Sequence, residues 1–397
     1  MADSALVSNL TSNAEALYPI LVQVNPGIAK LEPYELRYCL VNLTPTQGWA
    51  SVTPAPEGEI EAQLQDRQFF ESIQLNPMRA GRIVLDTQVM GLTQMLLAGL
   101  AAGRYSLTWV NSQFYFDLRS FIFYPRTCYY SPAVFEHFGG TPYRKFTPRQ
   151  TQFASAFDIG YAEFKQANQE IDRAFIETVK GLIDTLGTPI LMTLAGPTGA
   201  GKTEIVSRLS CEFQGQQRSF SGLEVDNFFK DRDFRDQHPL GLQVMHFEIF
   251  RQAVADLRNG RSATIPRYNF YTAISSHDVD SQLRLGATPL TIPPADIIFL
   301  EGNFPFHIPE VAPLVGLKIV YLTDDPQRLK RKWKRDIDYR KKYDPVSFCN
   351  RYFRSQYLRA EEVYRPLMQV SDMIVDTTEA TLWLTPELQA KLKHPAV

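Results

Sequence analysis

The sequence predicts an α/β fold: a parallel sheet with helices on both faces, preceded by a β-rich N-terminal region. Three observations carry this. From Pro189 onward, apolar strand-like runs at residues 190–195, 220–225, 297–300 and 318–322 alternate with helical patterns at 202–213, 244–258, 327–339 and 345–370, and Met373-Ile374-Val375 closes the series. Such alternation implies a parallel sheet, since parallel neighbours need a crossover between them. Gly196-Pro197-Thr198-Gly199-Ala200-Gly201-Lys202-Thr203, a G-x-x-x-x-G-K-T pattern, joins the first run to the first helix. Ahead of residue 140, by contrast, short β-type runs are punctuated by turn residues.

In chain order, residues 1–15 are small and polar. Residues 18–24, the turn Asn25-Pro26-Gly27 and residues 34–41 read as a strand, a turn and a strand, and residues 82–85 and 105–110 look similar. Residues 86–102 suit a helix or a long loop. Residues 113–116 and 120–124 form an aromatic pair of runs, and the aromatic cluster 114–130 reads as core, because aromatics are usually buried. No motif in residues 1–140 carries chemistry.

A helix start follows, with Thr147 as N-cap, Pro148 at the first helical position and Gln150 at the capping-box position. Apolar residues recur helically through Phe153, Phe157, Phe164, Ile171, Phe175 and Val179, until Gly187-Thr188-Pro189 ends the run. The expected division is a β-rich N-terminal domain of unassigned role (1–145), a helical connector (146–187) and an α/β domain (188–397).

The glycine-rich stretch explains itself physically. Gly196, Gly199 and Gly201 let the backbone turn its N–H groups inward, where a Cβ would obstruct. The helix beginning near Lys202 adds unpaired N–H groups and the positive end of its dipole. Lys202 supplies charge to the β- and γ-phosphates of a nucleotide, and the Thr203 hydroxyl is a Mg²⁺ ligand. This is a P-loop, and the fold expected around it is that of a P-loop NTPase.

A P-loop specifies a nucleotide, not a reaction. Three later features narrow it. Asp226 stands where the run 220–225 ends, and a carboxylate there can take the proton of an acceptor hydroxyl as the γ-phosphoryl group moves across. Glu301 closes the buried run 297–300 and would act on the metal side, as a Walker-B carboxylate does. The basic run 328–336 places Arg328, Arg331, Lys332 and Arg335 at helical spacings on one face, with Arg340, Lys341 and Lys342 beyond. Arginines on a lid stabilise charge on the transferring group. Alone, that run would read as a solvated face; after a P-loop and two acids it reads as a lid.

This order, with Asp226-Asn227-Phe228-Phe229-Lys230 and Pro266-Arg267-Tyr268-Asn269-Phe270 between, resembles the phosphoribulokinase/uridine kinase family over residues 186–380. The resemblance implies a kinase-type P-loop NTPase fold and ATP-dependent phosphorylation of a small-molecule hydroxyl, with Asp226 as base, Lys202, Arg331 and Arg335 as the other catalytic residues, and Arg340 at a nucleotide position. It implies acceptor contacts from Lys230, Arg267, Tyr268 and Asn269, and Mg²⁺ on Thr203 and Glu301. The acceptor half departs from the family. Ala273 stands where uridine kinases carry a base-reading histidine, Asn269 replaces an aspartate, Phe270 replaces the histidine of phosphoribulokinases, and His277 lies out of register. The acceptor class therefore stays open among sugars, sugar phosphates, nucleosides and hydroxy acids.

Composition bounds the rest. At 397 residues the chain exceeds one ordinary core, and 44% hydrophobic with 21% charged residues is ordinary for a globular protein. A net charge of −2 provides no bulk field for nucleic acid. The four cysteines form no C-x-x-C pair and no zinc spacing. Residues 89–103 are too short and interrupted to span a bilayer. The N-terminus carries no secretory pattern, so a cytoplasmic location is expected, with no membrane and no nucleic-acid partner. A homo-oligomer or a protein partner of the N-terminal domain is compatible with all of this. The competing reading is a catalytically altered ATP-binding regulatory or scaffold protein that uses its N-terminal domain for partner binding.

Overall fold

The computed structural model describes residues 14–66, 68–69, 76–77, 83–84, 87–118, 121–148, 161–238, 241–303, 308–340 and 359–393. The expected helix between 149 and 160, most of 345–370, and Lys341 and Lys342 lie outside them.

Among the described residues, the N-terminal half is built from helices with two small antiparallel strand pairs rather than mainly from strands. Helix α1 (Ala14–Val24) and α2 (Pro33–Leu43) occupy the two runs expected as strands. Their buried residues show why: Leu17 and Leu21 are four apart, and Leu40 and Leu43 three apart, which is helical spacing. At the start of α2, Pro33 takes the first turn and Glu35 reaches back to accept from the Glu32 N–H at 2.9 Å. Helix α3 (Glu57–Gln63) follows, then the two-residue strands β1 (Asn76–Pro77) and β2 (Ile83–Val84), which pair antiparallel. Next come α4 (Thr87–Ala101) and α5 (Leu107–Gln113), the latter started by Ser106, whose hydroxyl accepts from the Trp109 N–H at 3.0 Å. A hydroxyl cap turns residues 107–110 from the expected strand into a helix. The aromatic runs do form a hairpin, β3 (Phe114–Asp117) with β4 (Ile122–Pro125), every residue buried.

Helix α6 (Pro132–His137) and strand β5 (Arg144–Lys145) are followed by helices α7 (Tyr161–Ala167) and α8 (Gln169–Leu186). Beyond Gly187 the chain alternates as expected: β6 (Ile190–Ala195), α9 (Lys202–Gly215), β7 (Phe220–Glu224), the short α10 (Arg232–Asp236) and α11 (Phe247–Arg258). Four short strands, β8 (Ala263–Ile265), β9 (Tyr268–Asn269), β10 (Ile274–Ser275) and β11 (Leu290–Ile292), form two small antiparallel pairs. Then come β12 (Ile297–Gly302), β13 (Leu317–Leu322), α12 (Asp325–Trp333), α13 (Arg365–Met368), β14 (Met373–Asp376), β15 (Thr381–Leu384) and α14 (Pro386–Lys393).

Seven strands make one sheet in the order β5-β15-β14-β13-β6-β12-β7. The five from β14 to β7 are parallel; β15 and β5 add an antiparallel edge. Parallel strands must be covered on both faces, which explains their continuous apolar runs. Ile171, Phe175 and Val179 of α8 pack with Leu209 and Phe213 of α9 in the core on one face. On the other, Phe250 and Val254 of α11 cover one flank, while Tyr364 and Leu367 join Tyr129 and Phe138 over the other. Among the described residues no helix is long and apolar enough to cross a membrane.

Asp376, at the end of β14, gives the fold a pH signature. Its carboxylate accepts from the N–H groups of Thr378 and Glu379 and from the Tyr130 hydroxyl at 3.0 Å, yet burial raises its pKa to about 6. The folded chain therefore favours the protonated form. That contribution to stability is whole below the unfolded value near 4 and is lost as pH rises through about 6, a swing of about 3 kcal/mol. Asp376→Asn should flatten that part of the stability profile and raise stability above about pH 7. Thermal denaturation between about pH 4 and 8 reads it out, and an unchanged slope would refute the assignment.

Candidate active site

Three adjacent strands deliver the chemistry to one rim. The loop 196–201 leaves β6, Glu301 is the penultimate residue of β12, and Asp226 lies two residues beyond the end of β7. In the sheet register Glu301 is level with Leu194 on one side and Glu224 on the other, each two residues short of the loop or the acid. The carboxyl ends of parallel strands are where open α/β sheets collect ligands.

The loop needs its glycines. Gly196 has φ +156, and a Cβ there would collide with the Tyr321 carbonyl oxygen on β13. Gly199 has φ +79 and lies so close to the Arg328 backbone that a Cβ would be 3.1 Å from its carbonyl oxygen. Ala200 is fully buried, and its carbonyl accepts from Thr323 Oγ1 at 2.9 Å, which ties the loop to the end of β13. Lys202, only 8% exposed, donates from Nζ to the Pro197 carbonyl at 3.2 Å. Burial pushes its ammonium pKa down, against the pull of Glu301 and Asp226. Thr203 Oγ1 lies 3.1 and 3.0 Å from the two carboxylate oxygens of Glu301. Burial raises the Glu301 pKa, and Lys202 opposes the shift.

Helix α12 and the wider-wound segment Lys334–Tyr339 that continues it form the opposite wall. Arg331 Nη1 donates to the Gly199 carbonyl at 2.8 Å, and burial lowers its pKa to about 10, which leaves it charged. Arg335 Nη2 donates to Thr198 Oγ1 at 3.3 Å, bringing a second guanidinium over the loop. Asp336 accepts from Arg335, Lys332 and Arg340 at 3.0, 3.2 and 3.1 Å. Burial works against its charge, but Arg335 and Lys332 outweigh it and hold the pKa at about 2. Arg328, expected on the same basic face, points the other way: it is fully buried, paired with Asp325 and set 5.7 Å over the Tyr129 ring. A buried guanidinium on the Tyr129 side belongs to the packing of α12, not to its phosphate face.

Between these walls lies a cavity of about 520 Å³ lined by Thr198, Lys202, Thr203, Asp226, Glu301, Arg331 and Arg335 among others. It thus brings together Asp226, Glu301, Arg331 and Arg335, the residues that the sequence singled out as candidate base, metal-side acid and lid arginines. The acceptor residues are dispersed. Tyr268 is buried; its N–H donates to Asn227 Oδ1 at 3.2 Å and its hydroxyl accepts from Arg235 Nη2 at 2.6 Å. Lys230 sits 4.8 Å from the Phe234 ring centre, and Arg340 4.7 Å from that of Phe270. Arg267 and Asn269 are exposed, and neither lines the cavity. Asn269 Oδ1 instead accepts from the N–H groups of Tyr271 and Thr272, the usual work of an asparagine in a turn.

Two groups of residues carried no motif. Arg235 lies against the faces of Phe229 and Tyr268, at 4.7 and 5.2 Å, within the field of Asp226. Asp172 on α8, buried at the cavity wall, accepts from Arg208 of α9 at 2.5 Å and from the Tyr321 hydroxyl at 2.8 Å. A polar residue on the apolar face of α8 was the available signal for Asp172; Arg235 offered only its nearness to Asp226.

Residues 191–382 match the model of the Phosphoribulokinase / Uridine kinase family. The chain is 27% identical over 218 residues to the uridine-cytidine kinase A of Dictyostelium discoideum, covering 53% of this chain and 41% of that protein. It is 28% identical over 159 residues to the uridine kinase of Macrococcus caseolyticus, covering 38% and 70%. Against the solved D-glycerate 3-kinase of Cryptococcus neoformans it aligns with a TM-score of 0.38 and 10% identity, over 53% of this chain and 97% of the other.

Proposed function

We propose, on the premise that residues 191–382 form a phosphoribulokinase/uridine kinase family domain, that the protein transfers the γ-phosphoryl group of ATP to a hydroxyl of a small acidic metabolite. The observation that carries the reading is the convergence of Lys202, Asp226, Glu301, Arg331 and Arg335 on one cavity. ATP phosphates lie against the loop N–H groups and Lys202. Asp226 takes the proton of the acceptor hydroxyl as its oxygen bonds to the γ-phosphorus and the bond to the ADP oxygen breaks. Arg331 and Arg335 meet the charge that develops on the transferring group.

The donor set suits magnesium. Thr203 and Glu301 offer hard oxygens at one point, and among the described residues no cluster of three His, Cys, Asp or Glu forms a protein-only cage. Magnesium characteristically takes one or two protein oxygens and shares the phosphates. It would be held by Thr203 and through Glu301, and when bound it neutralises charge on the β- and γ-phosphates.

The acid on the acceptor is read from Arg235. Among the described residues it has no carboxylate partner; its side chain contacts are the Lys230 carbonyl, the Tyr268 hydroxyl and two aromatic faces. A half-buried guanidinium with neutral partners, within the field of Asp226, suits an anionic ligand. A thermal-shift screen with ATP and magnesium should pick out hydroxy acids or sugar phosphates over neutral sugars and nucleosides; a ligand at 100 times its Kd adds roughly 2.7 kcal/mol. Arg235→Met should then weaken the acceptor by about 10–100-fold in KM, as expected for one charge-assisted contact. Stabilisation by neutral nucleosides alone would refute this.

A further inference from the structure

The backs of the lid arginines rest on the N-terminal half. On α12 and the segment after it, Leu329, Trp333 and Ile337 recur every four residues and so share one face. Leu329 is a member of the N-terminal core, together with Leu17, Leu21, Leu96, Phe114 and Phe123, and Trp333 and Ile337 pack against it. From the same stretch of helix, Arg331 and Arg335 reach the P-loop.

The start of α12 is held from the same side. Asp325 accepts from the Thr127 N–H at 2.6 Å and from its hydroxyl at 3.0 Å. Asp324, whose side chain caps α12 through the Gln327 N–H, lies 3.7 Å from Arg126. Arg126 in turn donates to the Asn111 and Phe114 carbonyls at 2.7 and 2.9 Å, fixing it to α5 and β3. Thr127 and Arg126 directly follow β4. All of these N-terminal partners lie outside the residues matched by the family.

We infer that the N-terminal half is the seat of the lid: it positions Arg331 and Arg335 over the P-loop, with Leu329, Trp333 and Thr127 as positioning residues. The helix is clamped along its apolar face and at its first turn, so the placement of two guanidinium groups is a property of the N-terminal core. The chemistry assigned to those arginines rests on the kinase reading above; the mechanical coupling does not.

The test compares the affinities of the full chain for ATP and ADP by calorimetry, because lid arginines engage the γ-phosphate. Arg335→Ala should lower the ATP-to-ADP affinity ratio about tenfold, the effect of one charge-assisted contact. Trp333→Ala should lower it by a similar factor with ADP affinity unchanged, and Trp333→Phe should restore it. Leu388→Ala, which opens a cavity in the core under α14, should lower thermal stability without moving the ratio. A wild-type ratio in Trp333→Ala overturns the seat. An unchanged ratio in Arg335→Ala overturns the lid reading, and the seat with it. If Trp333→Ala does not fold, hydrogen exchange on the unaltered chain decides. Coupling is reciprocal, so ATP with magnesium should protect amides of α4 and of the β3–β4 hairpin. No added protection there overturns the proposal.

Discussion

Asp226→Asn is expected to lower turnover by about 10²–10⁴-fold, the range for loss of a positioned general base. The amide keeps the size of the side chain but cannot take the hydroxyl proton, so ATP binding should persist. Asp226 stands two residues past β7, on the cavity shared with Lys202 and Glu301, and its field reaches Lys202, Arg235 and Arg340. Steady-state rates with nucleotide affinity measured separately make the check. A variant that turns over at the unaltered rate removes Asp226 from the base role.

Lys202→Ala should be as damaging for a different reason. The ammonium is almost wholly buried and reaches the Pro197 carbonyl, with Glu301 and Asp226 as its nearest opposing charges. Removing it takes away the main charge facing the β- and γ-phosphates and leaves two carboxylates facing them. A loss of about 10²–10³-fold in kcat is expected from one such donor, together with loss of the thermal stabilisation by ATP. Retained stabilisation by ATP in Lys202→Ala would mean that the nucleotide binds elsewhere.

The phosphate-handling half was legible because its signals are local and obligatory. A buried parallel strand must be apolar throughout, and a loop that presents N–H groups must be rich in glycine, so the runs 190–195 and 297–300 and the stretch 196–203 could be read residue by residue. The N-terminal half was not legible in the same way. Residues 18–24 and 34–41 hold enough apolar and aromatic residues to suit a strand, and only the tertiary core reveals that Leu17 with Leu21, and Leu40 with Leu43, are the buried pairs. Arg328 shows the limit of helical spacing. It shares a basic run with Arg331 and Arg335, yet only packing distinguishes the residue turned toward Tyr129 from those turned toward the loop. Asn269 shows the limit of motif matching: its side chain closes a local turn instead of facing the cavity.

Under half of the chain, residues 191–382, matches the family model, and a large N-terminal part precedes that match. Those residues include Lys202, Asp226, Glu301, Arg331 and Arg335, which line the cavity. The N-terminal core packs against Leu329, Trp333 and Ile337 beside Arg331 and Arg335, and Asp172 of α8 accepts from Arg208 of α9.

The central claim is phosphoryl transfer to a hydroxyl, and label transfer tests it most directly. The full chain is incubated with magnesium and ATP carrying a labelled γ-phosphate, beside Asp226→Asn, with the acidic hydroxy compounds that stabilise it. The expected result is label on the acceptor hydroxyl with the unaltered chain and almost none with the variant. ATP binding without transfer to any acceptor, combined with nucleotide-dependent capture of a protein partner by the N-terminal half, would contradict it.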